Sequence, residues 1–272
     1  MKKNILNNHI NQSNLFIKKF NKSKLCLFSN AVEILSKKFH KKISDIYSID
    51  INSLSSGKLH RLLPKNLAEY KNGATRVTDF FYGKTGQFFN DYLRLLKEIR
   101  KLINEDFYFQ EYPTFRIHMP HVSAKKYYPY FHSDILFGHP PYEINIFANL
   151  NYPTNKEGHG LILLDLKRSL FLYNKYQYSI DKLLTEQKKL YNKFKMHAKL
   201  YKSVSKNLLL FDTRSFHSVM PLKDHTRISI DVRIVPKVEY VRFLSIYKGT
   251  GRKQVKFMPG NAYHRKTIDE FN

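Results

Sequence analysis

One cysteine, Cys26, stands in 272 residues, and tryptophan is absent. A lone thiol has no intramolecular partner, which excludes a disulfide framework and fits a reducing compartment. The N-terminus MKKNILNNHINQSNLFIKKF carries basic residues but no apolar run of signal-peptide length. No stretch reaches the roughly 20 apolar residues that a membrane span needs. A chain so composed is expected to be soluble and cytoplasmic. Acidic residues are scarce: 22 Asp and Glu face 47 Lys and Arg, a formal net charge of +25. That excess suits nucleic acid, an anionic membrane or an anionic small molecule. The lysines run along the whole length without a compact arginine-rich tract, so a solvated basic surface is favoured over a nucleic-acid partner. No internal repeat or low-complexity linker divides the chain, and one domain with elaborations is expected over residues 1–272.

What is abundant is aromatic, with 19 Tyr and 21 Phe, ample for a packed interior. Residues 1–106 read as a mixed, partly helical support. Ala31 to His40 predicts a short helix with Val32, Leu35 and Phe39 inward, and Thr75–Phe81 a short strand among loops. Gly86 to Asp106 is the clearest helix of this half, with Phe88, Phe89, Tyr92, Leu96, Ile99 and Ile103 on one side. Phe107 to His118 reads as an edge strand or two short pieces, broken by Pro113.

From residue 107 to 236 the pattern is mostly β. Strands are expected at Tyr127–Leu136, Glu143–Leu150, Gly160–Leu166, Asn207–Asp212 and Arg227–Val235. In the last, Ile228, Ile230, Val232 and Ile234 share one face, while Arg227, Ser229, Asp231 and Arg233 share the other. Several short strands with turn signals between them predict a mainly β chain with flanking helices and a jelly-roll core. A helical insertion is expected over 179–201, and a basic extension over 237–272 that folds back toward the site.

The stretch YYPYFHSDILFGHPPYEINIFANL, residues 127–150, organises the rest. Residues two apart on a strand point the same way, so His132 and Asp134 can reach one metal together. His217, after the buried-looking strand NLLLFD, supplies a second imidazole. Two histidines and one carboxylate occupy one face of an octahedron and leave three positions open, which suits non-haem Fe(II) chemistry with O2. Ten residues past His217 comes Arg227, with Ser229 two beyond. A guanidinium fork and a hydroxyl on one polar face match the far end of a dicarboxylate co-substrate. Arg227 has a plainer alternative, an ion pair with Asp224 or Asp231. His118, His121, His139, His159 and His225 read as loop or supporting residues, and Arg116 as a structural ion pair or a substrate contact.

HSD at 132–134, the distal His217 and the R-x-S at 227–229 together resemble the Fe(II)/2-oxoglutarate-dependent dioxygenases. Within them FHSDILFGHPPYEINIFANL is similar to the phytanoyl-CoA hydroxylase-like and streptomycin-biosynthesis-type branch. The similarity covers roughly residues 112–236, and the insertion at 179–201 departs from it. It implies a double-stranded β-helix (cupin-like) core, with Fe(II) on His132, Asp134 and His217. Arg227 and Ser229 would grip 2-oxoglutarate, and Asn145 would lie near the co-substrate or substrate. Halogenating relatives lack the carboxylate ligand, so Asp134 implies hydroxylation, with release of succinate and CO2. The expected substrate is a polar small molecule or sugar-like biosynthetic intermediate. The alternatives are a polyanionic or macromolecular substrate (RNA, protein or a lipopolysaccharide precursor) and a non-catalytic jelly-roll binding module.

Overall fold

The computed structural model describes residues 24–50, 58–62, 85–118, 131–151, 158–176, 192–194, 196–203, 207–219, 225–243 and 256–271. In chain order the first half contributes β1 (Lys24–Phe28), α1 (Asn30–Tyr47), α2 (Leu59–Leu62), α3 (Thr85–Ile103), β2 (Phe107–Phe109) and β3 (Thr114–His118). Next come β4 (Ile144–Asn149), β5 (Gly158–Leu163), α4 (Leu166–Tyr176), β6 (Lys199–Ser203) and β7 (Asn207–Asp212). β8 (His217–Val219), β9 (Arg227–Pro236) and α5 (Lys237–Phe243) follow. The strands make two antiparallel sheets. The larger runs β1-β7-β4-β9-β2, with β3 also on β9, and the smaller runs β6-β5-β8.

The alternation of RISIDVRIVP decides how the large sheet is covered. Ile228, Ile230, Val232 and Ile234 join Ile144, Ile146 and Ala148 of β4 and Leu208 and Leu210 of β7 in one apolar layer. Helices α1 and α3 lie over that layer, burying Val32, Leu35 and Phe39 from one and Tyr92, Leu95, Leu96 and Ile99 from the other. Ser29 caps α1, accepting from Val32 N, and donates its hydroxyl to Glu98 of α3. At the far end of β4 the Leu150 carbonyl accepts from Ser36 and from His40 Nε2, both on α1. Helix and sheet are thus joined by hydrogen bonds as well as by burial.

The opposite face of the large sheet looks toward the smaller sheet. Phe147, Leu209 and Phe211 from the one meet Leu161 and Leu163 from the other. The polar face of β9 opens into this interval, and the site lies there.

Several expectations need correction. The helix expected at Ala31–His40 extends from Asn30 to Tyr47. Of the strand expected at Tyr127–Leu136, residues 127–130 lie outside the described residues; His132 is bridged to His217, and Asp134–Phe137 is a 3-10 turn closed by Gly138 at φ 92. A side chain at that left-handed φ would be strained, so glycine is required there. The strand expected at Gly160–Leu166 is Gly158–Leu163, and Leu166 already opens α4. The helix expected over 179–201 gives way at its end to β6, Lys199–Ser203. Hydrogen bonding to β5 overrides the helical spacing there, because an exposed edge of β5 would otherwise go unpaired. Strand β1 was not expected at all; residues 177–191 and the strand expected at Thr75–Phe81 lie outside the described residues.

Candidate metal centre

Backbone hydrogen bonds bring the two histidines together. His132 N donates to His217 O at 3.0 Å and His217 N to His132 O at 2.8 Å, so the two residues face each other as an antiparallel pair. Ser133 continues the extended backbone (φ −122, ψ 143) before the 3-10 turn begins at Asp134. The i, i+2 relation of His132 and Asp134 therefore survives although no regular strand carries it. Ser133 Oγ donates to Thr213 O at 2.8 Å, tying this segment to the turn that precedes His217.

That turn is fixed by a wholly buried ion pair. Asp212 accepts from Arg214 N, Nε and Nη2, at 2.9, 2.8 and 2.8 Å. His217 Nδ1 lies 3.1 Å from Ser215 O. A carbonyl can only accept, so Nδ1 carries the proton and Nε2 presents its lone pair to the site.

At the centre, His132 Nε2 and His217 Nε2 lie 3.8 and 3.9 Å from Asp134 Oδ1. The three ligand-capable atoms all lie within 4.8 Å of one another, and among the described residues no other trio of His, Cys, Asp or Glu does so. The second Asp134 oxygen is occupied: Oδ2 accepts from Asn145 Nδ2 at 2.9 Å and from Arg233 Nε and Nη2 at 3.1 and 2.9 Å. Burial pushes the Asp134 carboxyl up, but Arg233 foremost, then His217, His139 and His132, pull it well below the usual carboxylate range. Burial likewise opposes the Arg233 charge, yet Asp134 and Glu143 outweigh it and the net shift is upward. Asp134 is thus held ionised with one oxygen directed at two imidazole nitrogens.

A cleft of about 680 Å³, its open mouth included, begins at these groups and runs along the polar face of β9. Arg227 and Ser229 line it together with Arg116, Phe147 and Phe211. Arg227 is buried, with its guanidinium over the Phe147 ring at 5.8 Å, and burial lowers its pKa to about 10. Ser229 Oγ and Asn145 Oδ1 are buried without a hydrogen-bond partner among the described residues. Orphaned buried acceptors and donors in a cleft wall call for a ligand, since leaving each unmet costs about 1–3 kcal/mol.

All six residues singled out from the sequence therefore line one cleft. Of the two partners weighed for an Arg227 ion pair, Asp224 lies outside the described residues, and Asp231 accepts from Arg116 Nε at 2.7 Å while still acting on Arg227 through its charge. Asn145, besides lining the cleft, donates to Asp134 directly. His139 is not in the cleft; it pairs with Glu143, and His225 is exposed. Among the described residues of the C-terminal segment, Tyr263 donates to Glu143 beside the centre, and Phe257 packs on His139. Sequence reasoning passed over Arg233 and Glu143. The alternation of β9 had placed Arg233 on the face of Arg227, but nothing in the spacing showed that Asp134 would reach it.

No protein-family model matches the chain, and no curated protein does. Among solved structures it is similar to a non-heme monooxygenase, ThoJ, in a nickel complex, at TM-score 0.38 and 10% identity over 82% of this chain and 77% of that one. It is similar also to the non-heme alpha-ketoglutarate-dependent epimerase SnoN from nogalamycin biosynthesis, at TM-score 0.39 and 13% identity over 68% and 73%. A third is an N-substituted L-amino acid dioxygenase from Burkholderia ambifaria AMMD, at TM-score 0.28 and 14% identity over 58% and 68%. These overlaps are loose, and the metal-binding reading stands on the side-chain geometry of this chain.

Proposed function

We propose that this chain is an Fe(II)- and 2-oxoglutarate-dependent oxygenase that hydroxylates an unactivated C–H bond of a polar small molecule. One observation carries the reading: His132 Nε2, Asp134 Oδ1 and His217 Nε2 converge within 4.8 Å at one end of a cleft that Arg227 and Ser229 also line. Two neutral imidazoles and one carboxylate suit Fe(II), and a donor set without thiolate argues against a structural zinc site. The two antiparallel sheets are read as the halves of a double-stranded β-helix, and residues 1–272 as one oxygenase domain.

His132, Asp134 and His217 would hold the metal, and Arg227 with Ser229 would take the far carboxylate of 2-oxoglutarate. The bound metal and co-substrate supply oxidative decarboxylation with O2, which yields succinate and CO2 and delivers one oxygen atom to the substrate. The remaining work falls to the chain. Arg227 offers a planar fork that orients a carboxylate as well as attracting it. Phe147 and Phe211 line the same cleft and limit water around the reacting groups. The Ser215 carbonyl keeps the His217 lone pair on Nε2, and Arg233 keeps Asp134 ionised.

Anaerobic titration of the protein with Fe(II) and 2-oxoglutarate tests this. A weak visible charge-transfer band is expected, lost in His217→Ala, together with conversion of 2-oxoglutarate to succinate in air. No band and no calorimetric binding of 2-oxoglutarate would end the proposal. Binding without conversion would favour a non-catalytic module of the same fold. The charge of +25 supports a second reading, a polyanionic or macromolecular substrate. Binding of tRNA that disappears at moderate salt would favour it.

A further inference from the structure

We infer that the C-terminal segment 256–271 is part of the metal site's positioning apparatus: Tyr263, through Glu143 and Arg233, holds Asp134 so that it presents a single oxygen to the metal. This rests on the metal reading above.

Glu143 immediately precedes β4 and is fully buried. A carboxylate so placed must be held by donors on both oxygens. Tyr263 OH donates to Oε1, and His139 Nδ1 donates to Oε2 at 2.8 Å. Arg233 Nε stands 3.9 Å from the same Oε2, within ion-pair range, while Nε and Nη2 both donate to Asp134. Arg233 is therefore shared between two buried carboxylates, and what holds one decides how firmly it holds the other. Asp134 Oδ2 already accepts three hydrogen bonds, from Asn145 and from two nitrogens of Arg233. Only Oδ1 remains for a metal, so the carboxylate fills one coordination position rather than two.

Tyr263 is itself fixed. It is buried beside Tyr142, Val235 and Tyr240. The backbone on either side is pinned to the β2 region, with Glu111 N donating to Ala262 O at 3.0 Å and His264 N to Phe109 O at 2.8 Å. Further on, Asp269 takes a two-pronged bond from Arg100 of α3. A segment more than 120 residues beyond Asp134 in the chain thus reaches the metal ligand through two intermediates.

The test uses Co(II) as the probe, on the full chain, without co-substrate. Its dissociation constant by calorimetry, the intensity of its visible d–d bands and the melting temperature are measured together. Arg233→Gln is expected to weaken Co(II) roughly 10- to 100-fold, the range for removing a group that orients a metal ligand. Tyr263→Phe and Glu143→Gln should shift the constant in the same direction by smaller factors. All three should alter the band intensities as Asp134 is released to bind through both oxygens, and Arg233→Lys should recover part of the effect. Should Arg233→Gln fail to fold, Tyr263→Phe, which removes one hydroxyl, still decides the matter. Wild-type Co(II) constants and bands in both Tyr263→Phe and Glu143→Gln would overturn the inference, whatever happens to the melting temperature. A wild-type protein that does not bind Co(II), or Asp134→Ala that binds as tightly, would instead overturn the metal reading beneath it.

Discussion

Arg233 donates Nε and Nη2 to Oδ2 of Asp134, while His132 and His217 approach Oδ1 of the same carboxylate. One side chain thereby serves a structural ion pair and a candidate metal site at once. The division predicts how the two roles separate on mutation.

Asp134→Ala removes a proposed metal ligand but leaves Arg233 a second carboxylate in Glu143, 3.9 Å away. Co(II) binding should vanish from calorimetry. The loss of folding stability should stay below the roughly 3–5 kcal/mol expected when a buried charge is stranded. A urea midpoint reporting the full penalty would show that Glu143 does not compensate.

On the proposed reading, Arg227 bears on the co-substrate and not on the metal. Arg227→Gln should weaken 2-oxoglutarate about 10- to 150-fold, the equivalent of about 1.5–3 kcal/mol for a charge-assisted contact. Arg227→Lys keeps the charge without the planar fork and should fall between. Co(II) affinity should be unchanged in both. Equal 2-oxoglutarate constants in all three proteins would remove Arg227 from the site.

Ser229 offers a sharper separation, because its buried hydroxyl has no partner among the described residues. Ser229→Ala should leave the melting temperature unchanged or slightly raised, since no internal hydrogen bond is lost. 2-Oxoglutarate binding should weaken roughly 2- to 13-fold, the size of one neutral hydrogen bond of about 0.5–1.5 kcal/mol. A lowered melting temperature with intact binding would make the hydroxyl structural.

The Arg214–Asp212 pair sits five and three residues before His217 in reverse order, and both side chains are within 1% of full burial. Arg214→Ala should cost up to about 3–5 kcal/mol in urea denaturation by taking the guanidinium from the buried Asp212. Co(II) should also bind more weakly, because the turn that aims His217 loses its clamp. Arg214→Ala with full Co(II) affinity would show that the bridge to His132 alone positions the ring.

His40 should set a pH dependence independent of the site. Burial lowers its pKa from 6.5, against the opposing effect of the Leu150 carbonyl it bonds. Below pH 6.5 the unfolded chain therefore binds the proton that the folded chain resists. Stability should be at its full value above 6.5 and fall as the pH drops from there toward the folded-state pKa, by up to about 1.4 kcal/mol per pH unit. Urea midpoints of wild type and His40→Gln between about pH 7 and pH 5 check this; parallel curves would refute it.

Periodicity in the sequence was enough to find α3 and the two faces of β9, because burial on one side of an element imposes 3.6- or 2-residue spacing. The six residues that line the cleft could be named as candidates for a related reason: a metal and a dicarboxylate would demand particular side chains, and His, Asp and Arg are rare enough in such an order to be seen. Folding alone decided what lies around them. The sequence spacing proposed a regular strand at Asp134, where Gly138 allows a 3-10 turn, and a helix at Lys199, where β5 offers an edge to pair. It gave no sign that Arg233 would answer Asp134, or Tyr263 answer Glu143. Ion pairs and hydrogen bonds between residues about 100 positions apart leave no periodic trace, and they exist only once the sheets have brought those residues within reach.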